Sequence, residues 1–272
     1  DQNLALEYFE PASPVRSRSG DDCVVCLTDQ WYIDYAQPEW KEQVKAHVET
    51  MDTFGEEMKL LLLQQVDRLH EWGCSRSFGL GTKLPCDEQY VIESLSDSTI
   101  YMAYYTIAHL LQGGNTSPSK VVVGPAGVKP EQVTDEFFDY VFHGKGDKTK
   151  LGIDVKVIDQ MRHEFTYWYP WNLRTSGRDL AYNHLPFSLF NHVAIFEQKY
   201  WPKGIKCCAF LEVDGEKMSK SRGNFLTTED AVARFSADGA RIGLADSGDF
   251  LDVANFDQTV ANGAVLKLYT WI

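Results

Sequence analysis

A strand, a tight turn, a basic loop and a capped helix follow one another between residues 210 and 230, and this order constrains the fold more than any other stretch. The apolar run 210–213 stops at Asp214-Gly215, a strong turn signal between an apolar and a polar segment. Beyond the loop, Thr227-Thr228-Glu229-Asp230 predicts a helix start, with a threonine cap and acids where the helix dipole favours negative charge. The loop itself reads Lys217-Met218-Ser219-Lys220-Ser221-Arg222-Gly223-Asn224. Lysine is a flexible point charge, suited to phosphate oxygens whose charge grows during a reaction. Gly223 lets the backbone turn where a side chain would obstruct it. The plainer reading of such a cluster is a solvated basic loop.

A chain of 272 residues has room for one large domain or two and a sizeable core. No apolar run is long enough to span a bilayer, so no membrane contact is expected. The net charge of −13 argues against a surface that coats nucleic acid indiscriminately, while positive charge gathers locally at Arg16, Arg18, Arg174, Arg178 and the 217–222 loop. Of six cysteines, Cys23 and Cys26 stand inside the apolar run 23–27, with no second C-x-x-C and no histidine pair at zinc spacing. They are expected as reduced, buried thiols in a short strand, in a reducing compartment.

Residues 1–20 are irregular. From 40 to 72 the period is helical: Trp40, Val44, Val48 and Met51 share one face, Met58, Leu62, Val66 and Leu69 another. Gly55 marks a break and Gly73 an expected end. The glycine-rich stretch 72–85 reads as a surface loop and is not a P-loop. Asp97 is expected as the N-cap of a helix through Tyr101, Tyr104, Ile107 and Leu111, stopped at Gln112-Gly113-Gly114. Side chains at a helix start after a parallel strand face the ligand crevice of an open α/β sheet. Residues 113–133 read as a variable surface insertion. Thr134 caps a short helix to Phe142, closed by Gly144, and a further helix covers about 154 to 163. Residues 167–180 predict a strand running into a tight turn, followed by a helix from about Phe187 to Gln198. An amphipathic helix over 231–246 breaks near 236–239, and a last helix from Asn262 places Val265, Leu268 and Tyr269 on one face.

The run KMSKS, preceded by Asp-Gly-Glu and followed two residues on by Gly-Asn, resembles the second ATP motif of class I aminoacyl-tRNA synthetases. The resemblance implies that Lys217 and Lys220 stabilise the pyrophosphate leaving group, that Met218 lies near adenine, and that Ser219 belongs to the ATP site. The strand–Gly177-x-Asp179–His184 order is similar to the adenosine-binding turn of the class, with Gly177 allowing close approach, Asp179 bonding ribose hydroxyls and His184 matching a second histidine. Leu180 stands where bacterial members have the first, so that histidine's role is left unassigned, while the resemblance implies that His184 belongs to the ATP site. The Asp29-Gln30-Trp31-Tyr32 segment resembles the chain's return from an inserted editing domain, and 72–85 resembles a stretch lining the approach to the active site, with Arg76 near a tRNA 3′ end. Segment 96–109 resembles the leucyl branch of the cytosolic eukaryotic and archaeal type, which implies an amino-acid pocket at Leu95, Ser98 and Tyr101.

What the resemblance implies is an α/β fold: the second half of a Rossmann-type parallel-sheet catalytic domain, plus a helical connector toward an absent anticodon-binding domain. The divisions are 1–35, returning from an absent editing domain; 36–73, a helical pair; 74–226, the catalytic half; and 227–272, the connector. The parent is expected to be a cytoplasmic enzyme that activates leucine with ATP, its Mg2+ carried on the nucleotide and no metal held by protein, and transfers it to tRNA(Leu), releasing pyrophosphate and AMP. No His-x-Gly-His occurs, so this stretch alone is expected to be inactive. The rivals are an isoleucyl or valyl enzyme, disfavoured by the 96–102 segment; a non-catalytic RNA-binding module, disfavoured by the intact lysines; and a synthetase-like nucleotidyltransferase, for which the helical pair is surplus.

Overall fold

The structure, a computed structural model, describes residues 12–17, 19–24, 26–114, 123–219, 222–248 and 253–271. The expectations for 1–11, Arg18, most of the 113–122 stretch and Lys220 lie outside the described residues.

Helices and strands are mixed along the chain, consistent with an α/β class. The strand Arg174–Gly177 pairs in parallel with Ile205–Cys208, in the register Arg174↔Ile205 to Gly177↔Cys208. Parallel neighbours need a crossover, here supplied by the helix His184–Ile195. A second parallel pair, Leu211–Val213 with Ala254–Phe256, is joined across the helix Thr228–Ser247. Antiparallel and short are Val15–Arg16 with Asp22–Cys23, Tyr32–Asp34 with Glu71–Gly73, Leu211–Val213 with Glu216–Lys217, and Asp87–Ile92 between Ser75–Arg76 and Lys83–Leu84.

Three apolar cores result. In the first, the helices Pro38–Thr50 and Glu56–Arg68 pack on His184–Ile195, burying Val44, Val48, Met58, Leu62 and Val66 as their period predicts. Tyr35 stacks on Phe187 at 5.1 Å, and Trp40 donates Nε1–H to the Phe190 carbonyl at 2.8 Å. Phe190 is fully buried, so its truncation to alanine costs about 3–5 kcal/mol. The second core joins the helices Tyr101–Leu111 and Val155–Trp168 with Phe137 and Val141. The third holds Phe235, Ala240, Phe256 and Ala261.

Thr227 caps its helix as expected, its Oγ accepting from the Asp230 amide at 3.0 Å. The break falls at Ser236 (φ 63°, ψ 165°), whose Oγ accepts from the Gly239 amide and so caps the second half. Thr134 likewise caps its helix, and Gly144 takes the left-handed conformation (φ 66°).

Several expectations are corrected. The described residues of 23–28 do not form a buried strand: among the described residues Asp22–Cys23 pairs only with Val15–Arg16, and Cys23, Val24, Cys26 and Leu27 are exposed. A two-stranded ribbon has no layer against which to bury its side chains. Gly73 does not end the second helix, which stops at Arg68 and leaves 71–73 to the sheet. The strand before the 94–111 helical stretch is antiparallel, and Asp97 is not its cap: Glu93 is, accepting from the Ser96 amide at 2.9 Å. Within 113–133 most of the described residues are exposed, in keeping with a surface stretch, and Gly124 and Val128 are the buried points that fix it to the second core. The helix expected over 154–163 runs Val155–Trp168, and the one expected from Phe187 runs His184–Ile195. The final helix spans Gln258–Tyr269, capped by Asp257, and turns Ala261 and Ala264 inward, with Tyr269 exposed. Close approach of two helices decides this: a Cβ on Gly243 would meet Ala261 Cβ at 3.1 Å.

Candidate functional site

Two distant segments meet where the first core reaches the surface. Glu93 is 6% exposed and anchors one of them. Its Oε2 accepts from the amide and hydroxyl of Ser96, both at 2.9 Å, which fixes the short helix Ser94–Asp97. A tight turn, Ser98–Ile100, then leads into Tyr101–Leu111. The other segment is the strand Arg174–Gly177 and the helix that begins at His184.

The structure brings Ser98, Tyr101 and His184 together. His184 Nε2 lies 2.9 Å from Ser98 Oγ and 3.2 Å from its carbonyl oxygen, and the Tyr101 ring stands 6.4 Å from the imidazole, centroid to centroid. Leu95 packs against the first core on the same turn of chain. Arg174, which sequence reasoning noted only as local charge, completes the group. Its guanidinium lies 5.6 Å above the Tyr101 ring and 6.0 Å from that of Trp171, with Nη2 at 3.3 Å from His184 Nδ1. Burial, and then the Arg174 charge, hold the His184 pKa below the ordinary imidazole value; burial also lowers that of Arg174. A ring edge, a hydroxyl, a neutral imidazole and a leucine side chain can seat a small, mostly apolar group.

Gly177 ends the same strand that Arg174 begins. A Cβ there would stand 2.5 Å from Asp179 Oδ1, so the exposed Asp179 carboxylate keeps its position only beside glycine. Carboxylate oxygens accept, and both hydroxyls of a ribose donate to them.

The hairpin is the third part. Leu211–Val213 pairs antiparallel with Glu216–Lys217 through Asp214 (φ 51°) and Gly215 (φ 79°), the left-handed pair of a two-residue loop. Asn224 clamps the base of the loop: its Oδ1 accepts from the Ser219 amide at 2.9 Å, and its Nδ2 donates to the Lys217 carbonyl at 3.1 Å. The sequence showed Asn224 only as a flank of the motif. Lys217 is exposed. Met218 lines a mostly apolar cavity of about 260 Å³ with Leu211, Val213, Leu226 and Phe256. Lys220 lies outside the described residues.

Arg76 donates to the Ser75 carbonyl at 2.7 Å and pairs with Glu93 at 3.6 Å, which ties its outer strand to the pocket turn. Among the described residues, no group of three or more His, Cys, Asp or Glu side chains converges as metal ligands would.

Residues 12–257 match the family model of class I tRNA synthetases (I, L, M and V). The chain is 51% identical over 270 residues to the cytoplasmic leucine–tRNA ligase of Dictyostelium discoideum, covering 98% of this chain and 25% of that protein. It is 48% identical over 274 residues to that of Pongo abelii, covering 100% and 23%. The chain thus spans about a quarter of the length of the curated relatives it matches. Among solved structures, Mycobacterium tuberculosis methionyl-tRNA synthetase in complex with methionyl-adenylate superposes with a TM-score of 0.55 at 17% identity, over 90% of this chain and 38% of that one, a likeness of fold. With the family model matched over most of its length, the chain belongs to the class I tRNA synthetases of the I, L, M and V group.

Proposed function

We propose that the protein carrying this chain is a cytoplasmic leucine–tRNA ligase and that the chain forms the KMSKS half of its catalytic domain. The observation that carries the reading is the meeting of Ser98 and Tyr101 with His184, from segments more than eighty residues apart, in a chain so similar to leucine–tRNA ligases. The two strand–helix–strand units fit the second half of a Rossmann-type sheet, and the helices beyond Thr227 fit a connector toward an anticodon-binding domain. The leading residues to 35 fit a return from an editing domain, 36–73 a helical brace and 74–226 the catalytic half.

In this reading leucine sits against Leu95, Ser98 and Tyr101, and its carboxylate attacks the α-phosphorus of ATP. Leucyl-adenylate forms and pyrophosphate leaves; the terminal adenosine of tRNA(Leu) then takes the leucyl group and AMP is released. Gly177 and Asp179 hold the nucleoside, with His184 at the border of the two sites. Lys217 and Lys220, with Met218 and Ser219 between and beside them, follow the phosphates. The residues fit ATP in two respects: beside Gly177 the exposed Asp179 carboxylate takes the space a Cβ would fill, and Lys217 is an exposed donor beyond a fixed turn. Magnesium on the nucleotide spreads the charge of the departing phosphates. The chain's own contribution is position and charge rather than a covalent nucleophile.

ATP–pyrophosphate exchange by the full-length protein, with leucine, isoleucine, valine and methionine in turn, tests the reading. Exchange that depends on leucine is expected. A preference for isoleucine or valine would move the protein to a sibling activity, and exchange with none would make it a binding module.

A further inference from the structure

The helix His184–Ile195 lies in the most apolar part of the molecule, yet His184, Ser188 and His192 are buried on it and Asn191 is half-buried. Buried polar groups are costly unless bonded. Three of these four bond to a single turn of chain. His184 Nε2 reaches Ser98, Ser188 Oγ donates to the Thr99 carbonyl at 2.7 Å, and Asn191 Nδ2 donates to Thr99 Oγ1 at 2.8 Å. The Thr99 hydroxyl gives its own proton to the Ser96 carbonyl at 2.9 Å, so it has a lone pair free to accept from Asn191. Positions 184, 188 and 191 follow one face of a helix at offsets of four and three. The fourth, His192, holds this row from behind, with Nδ1 at 2.7 Å from the Ser188 carbonyl and Nε2 against the Tyr169 hydroxyl.

The clamped turn, Ser98–Ile100, lies between the helix that carries Leu95 and the one that begins at Tyr101. Its position sets where all three pocket side chains project. The polar row is thus the part of the core that determines pocket width, whereas an apolar contact at 188 or 191 would let the turn slide.

We propose that Ser188 and Asn191 are positioning residues for amino-acid selection, acting on Ser98 and Tyr101 through Thr99. The inference rests on the reading of Leu95, Ser98 and Tyr101 as the amino-acid pocket.

The test compares Ser188→Ala, Asn191→Leu and Tyr101→Ala in the full-length protein by pyrophosphate exchange with leucine, methionine and isoleucine. Val193→Ala, a core truncation on the same helix, serves as the control. Losing one buried hydrogen bond corresponds to about a tenfold rise in KM for leucine. That rise is expected for Ser188→Ala and for Asn191→Leu, with reduced preference over methionine and isoleucine and an unchanged KM for ATP. Val193→Ala should lower the melting temperature and leave the ranking of amino acids intact. If Tyr101→Ala alters the ranking while Ser188→Ala and Asn191→Leu only lower the melting temperature, the positioning role is overturned and the pocket reading stands. If Tyr101→Ala also leaves the ranking untouched, the pocket reading falls and the positioning role with it.

Discussion

Arg174 and His184 meet nitrogen to nitrogen, Nη2 lying 3.3 Å from Nδ1. A guanidinium only donates, so Nδ1 accepts and the imidazole proton resides on Nε2, facing Ser98. The pair therefore fixes the tautomer of His184, and the Arg174 charge adds to burial in disfavouring its protonation.

Removing the cation should loosen that state. In Arg174→Met the His184 pKa should rise toward the ordinary value, because a like charge no longer opposes protonation, and burial should still keep it below. An NMR pH titration of the imidazole reads the shift; an unmoved titration would contradict the assignment.

Acid should weaken the fold through His192. Burial holds its pKa at about 4 against an ordinary 6.5. The native state keeps it neutral while the unfolded chain binds a proton, so its stabilisation is complete above pH 6.5 and falls as the pH drops from 6.5 to about 4. The loss is roughly 3 kcal/mol for a shift of this size. His47 and His184, also lowered by burial, act in the same direction. Urea unfolding across this range should show a flatter pH slope for His192→Asn than for wild type. Equal slopes would remove His192 from the account.

Nucleotide contacts are separable by analogue. Asp179→Ala should raise the KM for ATP, with a smaller penalty for a 2′,3′-dideoxy analogue. Gly177→Ala should behave alike, since the added methyl displaces the Asp179 carboxylate. The same penalty for both nucleotides would show that Asp179 does not read the ribose.

The KMSKS loop is open to a kinetic test at its base and at its tip. Asn224→Ala removes the bonds to the Ser219 amide and the Lys217 carbonyl. It should lower kcat for exchange and leave the KM for leucine unchanged, as expected where an interaction is made only in the transition state. Lys220→Ala should lower exchange about a hundredfold or more, as loss of a charge contact to the leaving group does. Wild-type rates in both variants would detach the loop from the chemistry.

Features carried by local signals were legible in the sequence. Period 3.6 placed the buried faces of the 38–50 and 56–68 helices, Thr227 and Thr134 marked the starts of the 228–247 and 135–138 helices, and Asp214-Gly215 marked the hairpin. Features set by distant partners were not. Glu93 is a rare type of cap, and its geometry becomes visible only once Ser96 folds back on it and Arg76 arrives from another strand. Residues 23–28 have the composition of a buried strand, but among the described residues their only paired neighbour is the two-residue strand Val15–Arg16. In the last helix small residues won over large ones, because Gly239 and Gly243 let Ala261 come close, a pairing that periodicity within one segment cannot anticipate. At the candidate site, resemblance singled out Ser98 and Tyr101 in one segment and His184 in another, while Arg174, Ser188 and Asn191 gained meaning only from their neighbours.

The parallel pairing of Leu211–Val213 with Ala254–Phe256 ties together the two ends of the stretch that bears the hairpin and its kinked helix. A stretch stitched at both ends opens as a unit, since releasing either strand frees the other. Its backbone amides should therefore exchange with solvent deuterium in one collective step, and the hairpin that ends at Lys217 inherits its order from that closure rather than from the aromatic core around Tyr35.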